Sequence, residues 1–166
     1  MHRFAWLTFL TVVVAYGVVV LGAYVRLSDA GLGCPDWPGC YGRLVPPLEE
    51  HEIDSANAAY PQRPVEKAKA WKEQIHRYAA STLGLLIVIM AVVAWRNRHR
   101  PGQPVALAWA LVALVIFQGL LGMWTVTLLL KPLIVVLHLL GGMTTLLLLW
   151  WLALRSCVPA SGNSAV

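Results

Sequence analysis

Residues 133–154 read LIVVLHLLGGMTTLLLLWWLAL, an uncharged apolar run, and about 20 such residues suffice to cross a bilayer as a helix. Three further runs, Phe4–Val25, Tyr78–Trp95 and Val105–Leu130, also lack Asp, Glu, Lys and Arg. Composition agrees: of 166 residues, 58% are hydrophobic and 13% charged, and the mean hydropathy is +0.65, which excludes an ordinary soluble domain. The expected fold class is an all-α membrane protein. Its four-transmembrane-helix bundle would have helices at about 4–25, 74–95, 105–130 and 133–154, all within a single domain, 1–155. The first run follows Arg3 but exceeds the ~7 to 15 residues of a signal-peptide core, so it reads as a retained helix. Residues 156–166 read as a polar cytoplasmic tail with no second bundle after it.

One long loop, 26–73, joins the first two spans, and all eight acidic residues fall in it or at its exit: Asp29, Asp36, Glu49, Glu50, Glu52, Asp54, Glu66 and Glu73. The next connection, 96–104, is short and holds Arg96, Arg98 and Arg100, which marks it as cytoplasmic. The long loop has basic residues too, from Arg26 to Lys72, so charge alone does not orient the chain. Cys34 and Cys40 close a turn-rich segment of that loop. A disulfide there implies an oxidising compartment and an extracytoplasmic loop, with both termini cytoplasmic. Two free thiols in a cytoplasmic loop are the alternative. The net charge of +5 suits membrane orientation and acidic headgroups, and no nucleic-acid motif is present.

Two histidines stand out against this background. His76 lies at the outer end of the second span and His138 six residues beyond Pro132 in the fourth, or ~9 Å along a helix rising ~1.5 Å per residue. With the termini inside, both lie near the outer leaflet and can face each other. Hydrocarbon cannot hydrate an imidazole, so a shared partner is implied, a heme iron first. Four-helix bundles do place cofactor ligands on facing helices. Interfacial histidines bonded to loop carbonyls are the plainer reading. Ala80 and Gly84 follow His76, and Gly141 and Gly142 follow His138; these small residues leave room for a flat macrocycle or serve close helix packing, as Gly119 and Gly122 also can. Gln118, near the middle of the third span, either lines a pocket or bridges two helices.

Four stretches in order, RLSDAGLGCPDWPGC (26–40), EQIHR (73–77), QGLLGMWTV (118–126) and the His138 helix, together resemble the heme A synthase family over about residues 10–150. The resemblance implies an oxidoreductase that converts the C8 methyl of heme O, by two successive hydroxylations, to the formyl group of heme A used by terminal oxidases, with heme b also bound. It implies His76 and His138 as axial ligands of the heme iron, Glu73 as the catalytic carboxylate and Cys34–Cys40 as a disulfide that rigidifies a loop capping the heme. A carboxylate beside the porphyrin can relay protons or stabilise positive character. Glu73 also fits a plain helix ladder with Lys69 and Arg77, worth only ~0.3 to 0.5 kcal/mol per pair in water. Arg77 and Arg26 suit heme propionates or snorkelling to headgroups. The expected location is the bacterial inner membrane, and heme O synthase and an electron donor are expected partners.

Members of that family have eight helices in two four-helix halves, whereas this chain supplies one set of ligands and looks most like the amino-terminal half. A homo-oligomer, or pairing with a second half-chain, is therefore expected for activity. A heme-binding electron-transfer or heme-handling module without oxygenation would use the same histidines and leave Glu73 dispensable. A quinone-linked disulfide oxidoreductase fits less well, because Cys157 has no second cysteine with which to relay electrons.

Overall fold

The computed structural model describes residues 2–157, as five helices and, among those residues, no strand beyond an isolated Cys40–Arg43 bridge. The helices are α1 (His2–Leu27), α2 (Glu50–Ala59), α3 (Lys67–Arg96), α4 (Val105–Thr127) and α5 (Pro132–Cys157). All but α2 are long and apolar enough to cross a membrane, which makes this a multi-pass membrane protein. α1 and α4 each pack on α3 and α5, and neither diagonal pair touches. The four spans therefore form a ring in which α3 faces α5 across the middle.

The packed apolar core fills only one half of that ring. Ile87, Met90, Leu111, Leu149 and Leu152 are fully buried in the half nearest the 97–104 turn, with Ala15, Ala91, Ala94 and Ala108 between them. Helices in lipid associate through such close packing, because the surrounding chains are as apolar as the interior. Side chains such as Leu85, Ile116, Leu139 and Leu147 point outward and are exposed, as a lipid-facing surface requires. The other half holds the buried Glu73, Gln74 and Gln118 beside the apolar Val25, Leu121 and Val126. It lies beneath the long connection, whose Gly31 sits against Leu130 of the α4–α5 turn.

Several boundaries differ from the sequence expectation. α3 runs from Lys67, ahead of the 74–95 span, as the good helix formers Glu66 to Ala70 in its hydrophilic first turns lead one to expect. α4 stops at Thr127 rather than Leu130: Leu129 and Leu130 both take φ of 55°, and the Leu130 amide returns to the Thr125 carbonyl at 2.8 Å. The long connection is not an unbroken loop, for it contains α2. Glu52, in the first turn of α2, accepts the Leu48 amide at 3.0 Å and the Glu49 amide at 3.3 Å, satisfying donors that the start of a helix leaves open. Of the expected tail 156–166, the part from 158 onward lies outside the described residues.

Candidate functional site

Asp36 folds the long connection on itself, accepting the Tyr41 and Gly42 amides at 2.7 Å each. Cys34 and Cys40 form a disulfide across this turn. Tyr41 packs edge-on against Tyr60 with ring centroids 5.6 Å apart, and its burial, then the charge of Glu66, raises the phenol pKa above its usual value. The disulfide segment rests directly on α3. A Cβ on Gly33 would lie 2.5 Å from the Lys69 carbonyl carbon and 2.7 Å from the Ala70 nitrogen, so only glycine allows this approach.

Glu73 and Arg77 fasten that contact. One Glu73 oxygen accepts the Cys34 amide at 2.9 Å and the other accepts the Arg77 guanidinium at 2.6 Å, with Glu73 only 5% exposed. Arg77 also donates to the carbonyls of Asp36, at 2.9 Å, and Gly39. The pair thereby holds both ends of the disulfide turn to α3. Of the expected Lys69–Glu73–Arg77 ladder only the second rung forms, since Lys69 pairs with Glu66 at 2.9 Å. Further along α3, the Gln74 amide and the Tyr78 hydroxyl both donate to the Leu44 carbonyl.

His76 follows Glu73 by one turn on α3, and His138 lies on α5. The two histidines thus stand on the diagonal helices α3 and α5. Each has a buried Nδ1 without a hydrogen-bond partner, and an unmet buried polar atom costs about 1–3 kcal/mol. Among the described residues, no cluster of three His, Cys, Asp or Glu could hold a bare ion. Two imidazoles with orphaned nitrogens, in the half of the bundle away from the packed core, fit the axial ligand pair of a heme iron.

The small residues near the histidines divide by role. The Gln118 side chain of α4 lies over Gly141 of α5, which only a glycine there admits, and its buried Nε2 has no hydrogen-bond partner. Positions of Gly84 and Gly119 where a Cβ would stand have no atom within 4 Å. Arg26 is exposed at the end of α1.

The COX15-CtaA family, described as cytochrome oxidase assembly protein, matches residues 5–165. The chain belongs to the COX15-CtaA family. Among curated relatives it is similar to Heme A synthase of Shewanella oneidensis, 47% identical over 154 residues, covering 93% of this chain and 46% of the relative. It is 32% identical to Heme A synthase of Alkalihalophilus pseudofirmus over 118 residues, 68% of this chain and 33% of the relative. For Heme A synthase of Shouchella clausii the identity is 32% over 124 residues, 73% of this chain and 35% of the relative. This COX15-CtaA chain therefore spans between a third and a half of the length of these relatives.

Sequence reasoning located His76, His138, Glu73, Arg77 and the cysteines of this family member, but not what they touch. It passed over Gly22, whose Cβ position lies 3.0 Å from the His76 ring, and connected Gly122 only with possible helix packing, whereas it lies 3.5 Å from the His138 ring by the same measure. The available signal was a glycine in each helix neighbouring a histidine, and only the ring order of helices makes that signal legible.

Proposed function

We propose that this chain serves heme A synthase activity: it binds heme through His76 and His138 and takes part in the oxidation of the C8 methyl group of heme O to the formyl group of heme A, with heme b as cofactor. The observation that carries the reading is the pair of histidines on diagonal helices, each with an unpartnered buried nitrogen. Family membership and the name of the relatives support the substrate. Bound heme would supply the redox chemistry at its iron. The chain's own residues hold and orient. His76 and His138 would take the iron from opposite helices. Glu73, fixed one turn before His76, is the carboxylate assigned to accept a proton as the methyl group is oxidised. Arg77 uses Nη1 and one Nη2 hydrogen on Glu73 and the loop; of the five N–H donors of a guanidinium, its Nε and second Nη2 hydrogens remain to receive a propionate. The disulfide turn clamped above excludes water from the outer end.

The relatives are two to three times as long as the segment they share with this chain. Activity is accordingly proposed to need a second four-helix unit, from a further copy or another half-chain, with heme O synthase as supplier of substrate and a separate electron donor. The setting is the bacterial inner membrane, with the 97–104 turn and both termini cytoplasmic and the disulfide turn outside.

One observation favours a second reading, a heme-binding module without oxygenation: both Glu73 oxygens are already engaged, as a structural carboxylate would be. The deciding experiment is heme extraction and chromatography on the purified chain, expressed with a supply of heme O, beside His76→Ala, His138→Ala and Glu73→Gln. Heme A or its hydroxylated intermediate in the wild type, lost in both histidine variants and in Glu73→Gln, bears out the synthase. Heme without oxidised product favours the second reading. No heme in the wild type overturns both.

A further inference from the structure

The two histidines are seated in the same way on different helices. The position a Cβ would take on Gly22 of α1 lies 3.0 Å from Cε1 and 3.5 Å from Nε2 of His76. On Gly122 of α4 the corresponding position lies 3.5 Å from Cε1 and 4.0 Å from Nε2 of His138. The His76 ring also approaches the Val18 carbonyl, and the His138 ring the Gln118 carbonyl. Val18 and Gln118 each stand four residues before the glycine. In a helix, that carbonyl lies beside the glycine on the same face, and removing the Cβ opens it to a ring from the next helix. One arrangement thus occurs twice, α1 receiving α3 and α4 receiving α5.

We propose that Gly22 and Gly122 are the seats that fix the orientation of the His76 and His138 rings, and that Gly22 is the stricter of the two. The inference rests on the reading of these histidines as heme ligands. Groups that orient a ligating imidazole from behind set its ring plane and its basicity, and axial imidazoles tune the spectrum and potential of a heme. At Gly22 an added methyl would be tighter against His76 than ordinary contacts allow, so the ring must move. At Gly122 the same methyl would make ordinary contact, and only a larger side chain would displace His138. Gly17 on α1 and Gly119 on α4 have nothing within 4 Å of the equivalent position, which makes them matched controls.

The test uses the 166-residue chain in native membranes and in detergent, with five variants: Gly22→Ala, Gly122→Ala, Gly122→Val, Gly17→Ala and Gly119→Ala. Three quantities are read: extracted heme per chain, the low-spin electron paramagnetic resonance g-values with the reduction potential, and the rate at which diethyl pyrocarbonate modifies each histidine in heme-free protein. Gly22→Ala is expected to shift the g-values and potential, lower heme content several-fold and change the modification rate at His76 alone. Gly122→Val should do the same at His138. Gly122→Ala and both controls should match the wild type. If heme is bound through both histidines and yet Gly22→Ala and Gly122→Val match the controls, the seats are overturned. Wild-type protein that lacks heme, or keeps it in His76→Ala and His138→Ala, instead overturns the ligand reading. The modification rates on heme-free protein then still decide whether the glycines set the rings. Should Gly22→Ala fail to accumulate, the contrast between Gly122→Val and Gly122→Ala decides alone.

Discussion

Glu73 and Arg77 are i and i+4 neighbours on α3, yet their behaviour should differ from that of a surface pair. Their side chains are 6% and 12% exposed, and between them they bind the Cys34 amide and three loop carbonyls. Breaking a buried pair by removing one partner costs about 3–5 kcal/mol, far above an exposed helix pair. Glu73→Gln is therefore expected to lower the Tm in detergent and expose the 35–44 turn to protease. Arg77→Lys should not rescue the turn, because a point charge cannot reproduce a fork reaching several acceptors. In a double variant, Glu73→Gln with Arg77→Met, the loss should fall short of the sum of the single losses. Additive losses would show the pair to be uncoupled.

At the scale of elements, the long connection is held to α3 by one close backbone approach and to itself by carboxylates. Gly33→Ala would drive a methyl into the Lys69–Ala70 backbone, which cannot yield as a side chain can. The expected result is faster alkylation of Cys34 and Cys40 at a given reductant concentration. Gly31→Ala, which meets only the flexible end of Leu130 at 3.4 Å, should leave that rate unchanged. Glu52 gives α2 a pH dependence of definite sign. The Leu48 amide, the Arg43 guanidinium and the Glu49 amide hold its carboxyl down to about 2, from an ordinary 4.5. A carboxyl whose folded pKa is depressed contributes stability fully above its unfolded value and loses it as pH falls through the folded one. Hydrogen exchange across α2, corrected for intrinsic rate, should thus quicken between pH 4.5 and 2. Glu52→Gln should abolish that step.

For the molecule as a whole, the division into a packed half and a histidine half predicts that stability and ligand binding can be perturbed separately. Leu111 is fully buried in the packed half, among Ile87, Met90 and Leu149. Leu111→Ala should cost about 2–5 kcal/mol, as large-to-small core substitutions do, and lower the Tm while heme per folded chain stays at the wild-type level. Loss of heme in the folded variant would mean that the halves are coupled.

Apolar runs and helix geometry alone determined that four helices cross a membrane, since hydrocarbon admits only a backbone whose hydrogen bonds are met within the segment. His76 and His138 stood out as imidazoles in apolar spans and Cys34 and Cys40 as a pair in one turn, and motif resemblance added Glu73. Helix α2 escaped because EHEIDSANAA is only ten residues long and polar overall, and its start depends on Glu52 finding amides that a loop had first to supply. The end of α4 escaped because nothing about a run of leucines marks two of them for positive φ. Which helices adjoin and which face each other belongs to tertiary structure alone, because span lengths and loops permit more than one ring order. That order placed α3 diagonal to α5, set Gly22 behind His76 and Gly122 behind His138, and turned a helix ion pair into the clamp on a disulfide turn.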